Sequence, residues 1–290
     1  QLRPWATQYL TQYPLIPYYF ADGIYVLSGQ GSLDRLTGAR IVRIGTSDAK
    51  SVWDAVTAYV PGDNEWSQRA WTPTFVTIPE LLQLLGFFSD IQSPEWEFEL
   101  QNGERITETV APITLDAYFE WRNGMETPDD VPLYRRHRDR NYWLKHFAEQ
   151  ETVYMRFNSV QNAEDKHLAG FSRDLIDFID DNKAQYLIID ARGNGGGNGD
   201  LLRPLIRRIE THDVINREGH LYVITDRITF SAAMMFVTRM DRATEVIFAG
   251  EPAGGKPNHY GDVGPHTLPN SKLELRLSPL YHQESEPGDE

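Results

Sequence analysis

Tyr186-Leu-Ile-Ile-Asp-Ala-Arg-Gly-Asn-Gly-Gly-Gly-Asn-Gly199 decides the fold. Its first five residues make the continuous apolar run of a buried strand, and the run breaks into a glycine-rich loop. Beyond the loop, Leu201, Leu202, Leu205, Ile206 and Ile209 recur at helical spacing. The same alternation extends in both directions. Upstream, Val153-Tyr-Met-Arg-Phe157 predicts a strand, and Leu168, Phe171, Leu175, Phe178 and Ile179 predict an amphipathic helix. Downstream, Leu221–Ile224 predicts a strand, Ala232–Met240 a helix and Val246–Ala249 a further strand. Strand–helix alternation with short links implies an α/β fold with a parallel sheet and right-handed crossovers. Continuous apolar strands predict burial of that sheet on both faces.

The amino-terminal part reads differently. Gly23–Leu27 and Ala39–Gly45 predict short strands, with Val52, Val56 and Tyr59 on one helix face before Pro61-Gly62 stops it. Pro79–Gly86 has proline at the first helical position and glycine at the end. Trp96–Leu100 and Ile106–Val110 flank an Asn-Gly turn and predict a hairpin. Leu115–Arg140, charged and poorly periodic, reads as a connection, with Asp129–Arg140 its most exposed part. Two domains are expected, residues 1–120 and 121–290.

Composition narrows the partners. With 40% hydrophobic and 12% aromatic residues, the 290-residue chain can bury sizeable cores. A formal net charge of −14 argues against nucleic acid or an anionic membrane as partner. No cysteine is present, so disulfides, thiol catalysis and thiolate metal sites are excluded. No apolar run approaches the roughly 20 residues of a membrane span, and no signal-peptide pattern opens the chain. No oligomeric state is legible in the pattern.

In a parallel sheet, ligands and catalytic groups gather beyond the carboxyl ends of the strands. Three segments meet there: Asp190–Gly199, Thr225–Ser231 and Gly250–Gly261. The glycine loop allows backbone amides to approach a ligand, and it opens a helix whose dipole favours negative charge. A phosphate or the oxyanion of acyl transfer would suit it, and so would a plain turn. The dinucleotide and P-loop registers are both missing. Ser231 heads a helix, either as an ordinary N-cap or as a nucleophile in need of a base. Lys256 is the candidate base, since a lysine in an apolar cleft can lose its proton, although a solvated loop lysine is the plainer alternative. His259 is a second base in the same loop.

Taken in order, Tyr186–Gly197, Phe230-Ser-Ala-Ala233 and Gly250-Glu-Pro-Ala-Gly-Gly-Lys256 resemble the C-terminal processing (tail-specific) serine peptidases, over roughly residues 150 to 265. The interval of 25 residues between Ser231 and Lys256 is that of the family's Ser–Lys dyad. The resemblance implies a crotonase-like (ClpP/crotonase) α/β catalytic core and a serine endopeptidase acting on peptide or unfolded protein through an acyl-enzyme. It also implies no metal or organic cofactor and a site outside the cytoplasm. Gly197 and Ala232 look like its oxyanion-hole amides. Gly38–Gly45 with the following helix resembles a degenerate PDZ unit in a smaller α+β region. Where the family often has glutamine and glutamate, this chain has Tyr260 and Met234. Tyr260 is a possible orienting group, with Asn258 and His259 as others. Related modules with this fold bind peptides or apolar ligands without catalysis, the alternative function.

Overall fold

The computed structural model describes residues 2–3, 10–125, 131–270 and 274–286. The chain divides into two compact units. The first comprises Gln1–Pro61, Gln68–Glu126 and Gly264–Leu277; the second comprises Gly62–Ser67, Thr127–Val263 and Ser278–Glu290. The short segments 62–67 and 264–277 depart from a simple division along the chain, because membership is set by packing partners that sequence order does not reveal.

In the first unit, β1 (Leu15–Phe20), β2 (Gly23–Gly29), β3 (Arg40–Ile44), β4 (Glu95–Glu99) and β5 (Arg105–Thr109) form an antiparallel sheet in that order. The Asn-Gly hairpin is present as β4–β5. Strand alternation sends Trp96 and Phe98 to one side, where they join Leu15, Val26 and Ile44 in the core. Helix α1 (Ala49–Thr57) begins at Asp48, whose carboxylate accepts from the amides of Lys50 and Ser51, and it buries Val52, Trp53 and Val56. Helices α2 (Glu65–Phe75) and α3 (Pro79–Leu84) follow. The expected connection after residue 115 starts instead as a helix, α4 (Leu115–Asn123). Its amphipathicity is weak, but the Thr114 hydroxyl accepts from the Ala117 amide at 3.3 Å and Tyr118 is buried. A local cap and one anchoring ring suffice. Of the stretch expected to be most exposed, residues 135–140 are exposed, but Val131 is buried and Leu133 and Tyr134 are half-buried; Asp129 and Asp130 lie outside the described residues.

The second unit contains a five-stranded sheet: β6 (Tyr142–Phe147), β7 (Thr152–Phe157), β8 (Tyr186–Asp190), β9 (Leu221–Thr225) and β10 (Ile247–Gly250). β6 pairs antiparallel with β7; the remaining pairs are parallel. Helices α5 (Leu168–Asp181), α6 (Arg203–Glu210) and α7 (Ala232–Ala243) provide the crossovers. Val153, Met155, Phe157, Leu187, Ile189, Leu221 and Val223 form one core with Leu175, Leu205, Ile209, Phe236 and Met240 from those helices. Burying each such side chain contributes about 1.5–3 kcal/mol.

Among the described residues, α5, α6 and α7 cover one face of the sheet; the other face is buried at β7, through Thr152, Tyr154 and Arg156, and only partly buried on the strands beyond it, so burial on both faces holds for β7 and not for the rest. The strands are laid down in sequence order across the sheet. Crossovers of one hand then put every helix on the same side. The opposite positions hold half-buried Ile188, Tyr222 and Ile224 and exposed Tyr186 and Ile247. Parallel order brings the ends of β8, β9 and β10 to a common rim.

Candidate active site

The three loops at that rim are fastened to one another by named hydrogen bonds. Asp226, just after β9, accepts at Oδ1 from the amides of Gly193 (2.9 Å), Ile228 (3.0 Å) and Thr229 (3.1 Å). The buried Thr229 hydroxyl donates to the Ala191 carbonyl at 3.1 Å, and the Phe230 amide donates to the Asn194 carbonyl at 3.0 Å. On the other side, the Gly254 and Gly255 amides reach the Thr229 carbonyl at 3.0 and 3.3 Å. Arg227 makes a two-pronged ion pair with Glu251, at 2.9 and 2.6 Å. A segment leading to a helix is thus held from both flanks. Buried backbone groups need such partners, and here the partners also fix the approach to Ser231.

Ser231 is the strained point of this arrangement. Its backbone has φ 54° and ψ −126°, and its side chain makes no capping bond to α7. The first turn is satisfied by the backbone: the Ala233 amide donates to the Phe230 carbonyl at 3.0 Å, and the Met234 amide to the Ser231 carbonyl at 2.8 Å. The ordinary N-cap interpretation therefore fails here. A positive φ at a residue with a Cβ costs on the order of 1–3 kcal/mol and persists only where the surroundings enforce it. The tethered segment 226–230 provides that enforcement, leaving a half-buried hydroxyl at a helix N-terminus unspent on the helix.

The glycine loop comes up against this serine through Gly196. A Cβ added there would lie 2.8 Å from Ser231 Cβ and 2.9 Å from the Ala232 nitrogen, and its φ is +105°. Only glycine leaves the Ala232 amide uncovered. Gly197 sits one residue on, in a parallel bridge to Val160. That bridge uses the Gly196 carbonyl and the Asn198 amide, at 2.9 and 2.7 Å from Val160, and not the amide of Gly197 itself.

Three residues at the site were not picked out from sequence. Fully buried Asn194 donates through Nδ2 to the Phe157 carbonyl at 3.0 Å and accepts at Oδ1 from the Gly196 amide at 2.9 Å. It thereby anchors the loop to the end of β7. An amide side chain among glycines, one of two in the loop with Asn198, was the available signal. Asp226 is the second, legible as a turn former three residues before Thr229. Asn64 is the third: its Nδ2 donates to the carbonyls of Ala253 (3.0 Å) and Gly255 (3.3 Å). Its Oδ1 accepts from the Trp66 and Ser67 amides, both at 2.9 Å, so it caps α2 and is legible as a helix start, but nothing nearby indicates its hold on the lysine loop.

Behind the glycine loop lies a buried polar network. Fully buried Asp190 accepts from the Tyr154 hydroxyl at 2.9 Å and from Arg192 at 2.6 Å, with Arg156 3.5 Å away. Arg156 also donates to the Asp190 and Arg192 carbonyls. Burial holds the Arg156 guanidinium below its ordinary range, whereas the hydrogen bond to Asp190 raises Arg192. Burial, reinforced by Asp190, raises the Tyr154 phenol. The network ties Tyr154, Arg156 and Arg192 to Asp190 and so stiffens the loop base.

Lys256 is half-buried on the loop after β10. A Cβ on its neighbour Gly255 would lie 3.1 Å from Met234 Cβ and 3.4 Å from Phe230 Cδ2, so this loop packs directly on the serine-bearing segment. His259 is buried, and its Nδ1 lies 3.0 Å from the Lys256 carbonyl. A carbonyl only accepts, so Nδ1 carries the hydrogen. Tyr260 is 67% exposed, and its ring lies 5.1 Å from that of Tyr281. A cavity of about 530 Å³ lies beside Lys256, walled by Met234, Val237, Phe248, Pro252 and Pro257. The structure thus draws Ser231, Ala232 and Gly196 together and sets Lys256 on the adjoining loop. Tyr260 faces largely outward.

No protein-family profile and no curated relative matches the chain. Among solved structures, mature CPAF complexed with lactacystin has the same fold: TM-score 0.61 at 8% identity, covering 95% of this chain and 74% of that one. Mature CPAF alone gives 0.57 at 8% identity, over 95% and 76%. The photosystem II D1 C-terminal processing protease aligns over 95% of this chain and 68% of its own, at 13% identity. Its TM-score of 0.38 carries no weight for the fold. Among the described residues, no helix is long and apolar enough to cross a membrane.

Proposed function

We propose that this chain is a serine peptidase of the tail-specific type, with a crotonase-like catalytic unit acting outside the cytoplasm on peptide or unfolded protein. The observation that carries the reading is Ser231: strained, uncapped and held from two sides at a helix N-terminus. In the proposed reaction Ser231 Oγ attacks the peptide carbonyl carbon while the Lys256 amine accepts its proton. The amides of Gly197 and Ala232 would hold the oxyanion, a contribution typically worth several kcal/mol. The C–N bond then breaks, the amine leaves with the proton from Lys256, and water releases the acyl group by the reverse path. His259 would steady the lysine through its backbone carbonyl, and Tyr260 would orient the amine only from the solvent side.

Ser231→Ala should lower hydrolysis of an unfolded protein by at least about a thousandfold while leaving the thermal transition within a few degrees. Unchanged turnover by that variant would eliminate the assignment. The apolar walls of the cavity favour one second reading, a peptide-binding module without catalysis. Tight peptide binding with no turnover by the unmodified protein would select it.

A further inference from the structure

Two hydrogen-bond routes join the flanks of the site. The first is the serine segment itself, which Asp226 and Thr229 fasten to residues 191–193 on one side and the Gly254 and Gly255 amides fasten on the other. The second runs through residues 280–286. Leu280–His282 pairs antiparallel with His259–Gly261, just beyond Lys256. Asn258 commits its whole side-chain amide to the stretch that follows. Its Oδ1 accepts from the Glu284 and Ser285 amides, both at 2.9 Å, and its Nδ2 donates to the Ser285 and Glu286 carbonyls at 3.1 and 3.4 Å. The Glu284 carboxylate, 12% exposed, accepts from Arg239 Nε at 2.9 Å and Nη2 at 2.6 Å. The third nitrogen, Nη1, donates to the Gly199 carbonyl at 3.1 Å. Gly199 closes the glycine loop just after Gly197, and Arg239 lies about two turns along α7 from Ser231.

We propose that Arg239 and Glu284 are positioning residues for the reaction: with Asn258 they hold the glycine loop and the lysine loop at the separation that the oxyanion amides and Lys256 require. The inference rests on the peptidase reading above. A two-pronged arginine–carboxylate pair fixes direction as well as distance. Anchoring residues 280–286 would need that pair alone; the bond to Gly199 carries the connection across to the opposite loop. Loops joined along one edge can pivot about it. The second route closes the ring Gly199–Arg239–Glu284–Asn258 on the far side and removes that freedom. These residues act through the loops that carry Gly197 and Lys256, where a small displacement of a catalytic group costs more rate than the lost contact itself would suggest.

The test is a double-mutant cycle followed in two ways, by labelling of Ser231 with an alkyl fluorophosphonate and by the amide NMR signals of Gly197 and Gly199. Arg239→Gln and Asn258→Ala should each slow labelling about tenfold. The double variant should be no slower than the slower single one, because both substitutions cut the same connection. Slowing of about a hundredfold in the double variant, the product of independent effects, would overturn the proposal. Labelling at the unmodified rate in folded Arg239→Gln would do the same. Asn258→Ala should also move the Gly197 and Gly199 signals by more than a linewidth, and should leave them in place when made in Arg239→Gln. Signals that ignore Asn258→Ala, or that move equally in both backgrounds, count against the connection. Glu284→Ala replaces Arg239→Gln in the cycle if the latter does not fold. The NMR arm needs no reaction at Ser231, so the two ideas fail separately. Transmission without labelling overturns the peptidase reading and leaves the connection standing, whereas labelling without transmission overturns the connection alone.

Discussion

The two flanks of the candidate site are built in different ways. The serine flank, residues 190–199 and 226–231, is held by contacts within the parallel sheet's own loops: Asp226 on Gly193, Thr229 on Ala191, Phe230 on Asn194. The lysine flank, residues 250–261, is tied to the neighbouring loop through Thr229 and the Arg227–Glu251 pair, and it leans in addition on partners from elsewhere. Asn64 clamps it from nearly 190 residues away in sequence, and Asn258 is tied to Ser285, where its Oδ1 accepts from the amide at 2.9 Å. The serine flank is therefore a product of local topology, and the lysine flank needs, besides that topology, distant segments arriving correctly. A site assembled this way should lose chemistry sharply when the first is damaged and by degrees when the second is.

Substitutions can break that contrast, and the largest effect belongs to Gly196. In Gly196→Ala the new methyl would crowd Ser231 and the Ala232 amide, so hydrolysis should fall at least about a hundredfold, the usual cost of losing one oxyanion donor. Steady-state kinetics on an unfolded substrate would check this, and a near-normal rate would show the loop to be slack. Asn194→Ala leaves a buried carbonyl and a buried amide without partners, and should destabilise the fold by about 2–3 kcal/mol in chemical denaturation. A cost below about 0.5 kcal/mol would mean the loop does not depend on it.

Smaller effects are expected on the lysine flank. Asn64→Ala removes four part-buried hydrogen bonds, two to the lysine loop and two that its Oδ1 accepts from the Trp66 and Ser67 amides, and should cost about 2 kcal/mol, with several-fold slower turnover and Ser231 still reactive. If it instead matched Gly196→Ala in severity, the two flanks would be equally critical. Tyr260→Phe, on an outward-facing ring, should change turnover by less than about threefold. A larger loss would restore Tyr260 to a direct role in orienting Lys256.

This asymmetry also explains what the sequence disclosed. Tyr186–Asp190 and Leu221–Thr225 stand where the apolar runs predict them, because strands and helices of this unit follow local periodicity. The rim followed from topology, since parallel strands in sequence order must bring their carboxyl ends together. Local pattern could not reveal the backbone strain at Ser231, which emerges only when flanking loops tether residues 226 and 230. Nor could it show that Gly196 makes the close approach to the serine. Helix α4 was hidden because one cap and one buried ring, not a stripe, sustain it. Asn64 caps a helix locally, but its grip on the lysine loop was invisible because those partners lie across the chain.

The most direct test of the central claim, that Ser231 is an activated nucleophile, is site-resolved mass spectrometry after exposure to an alkyl fluorophosphonate. The account predicts one adduct per chain, on Ser231, formed at least about tenfold more slowly in Lys256→Ala. An unmodified Ser231 in folded protein, or labelling indifferent to Lys256, would contradict it.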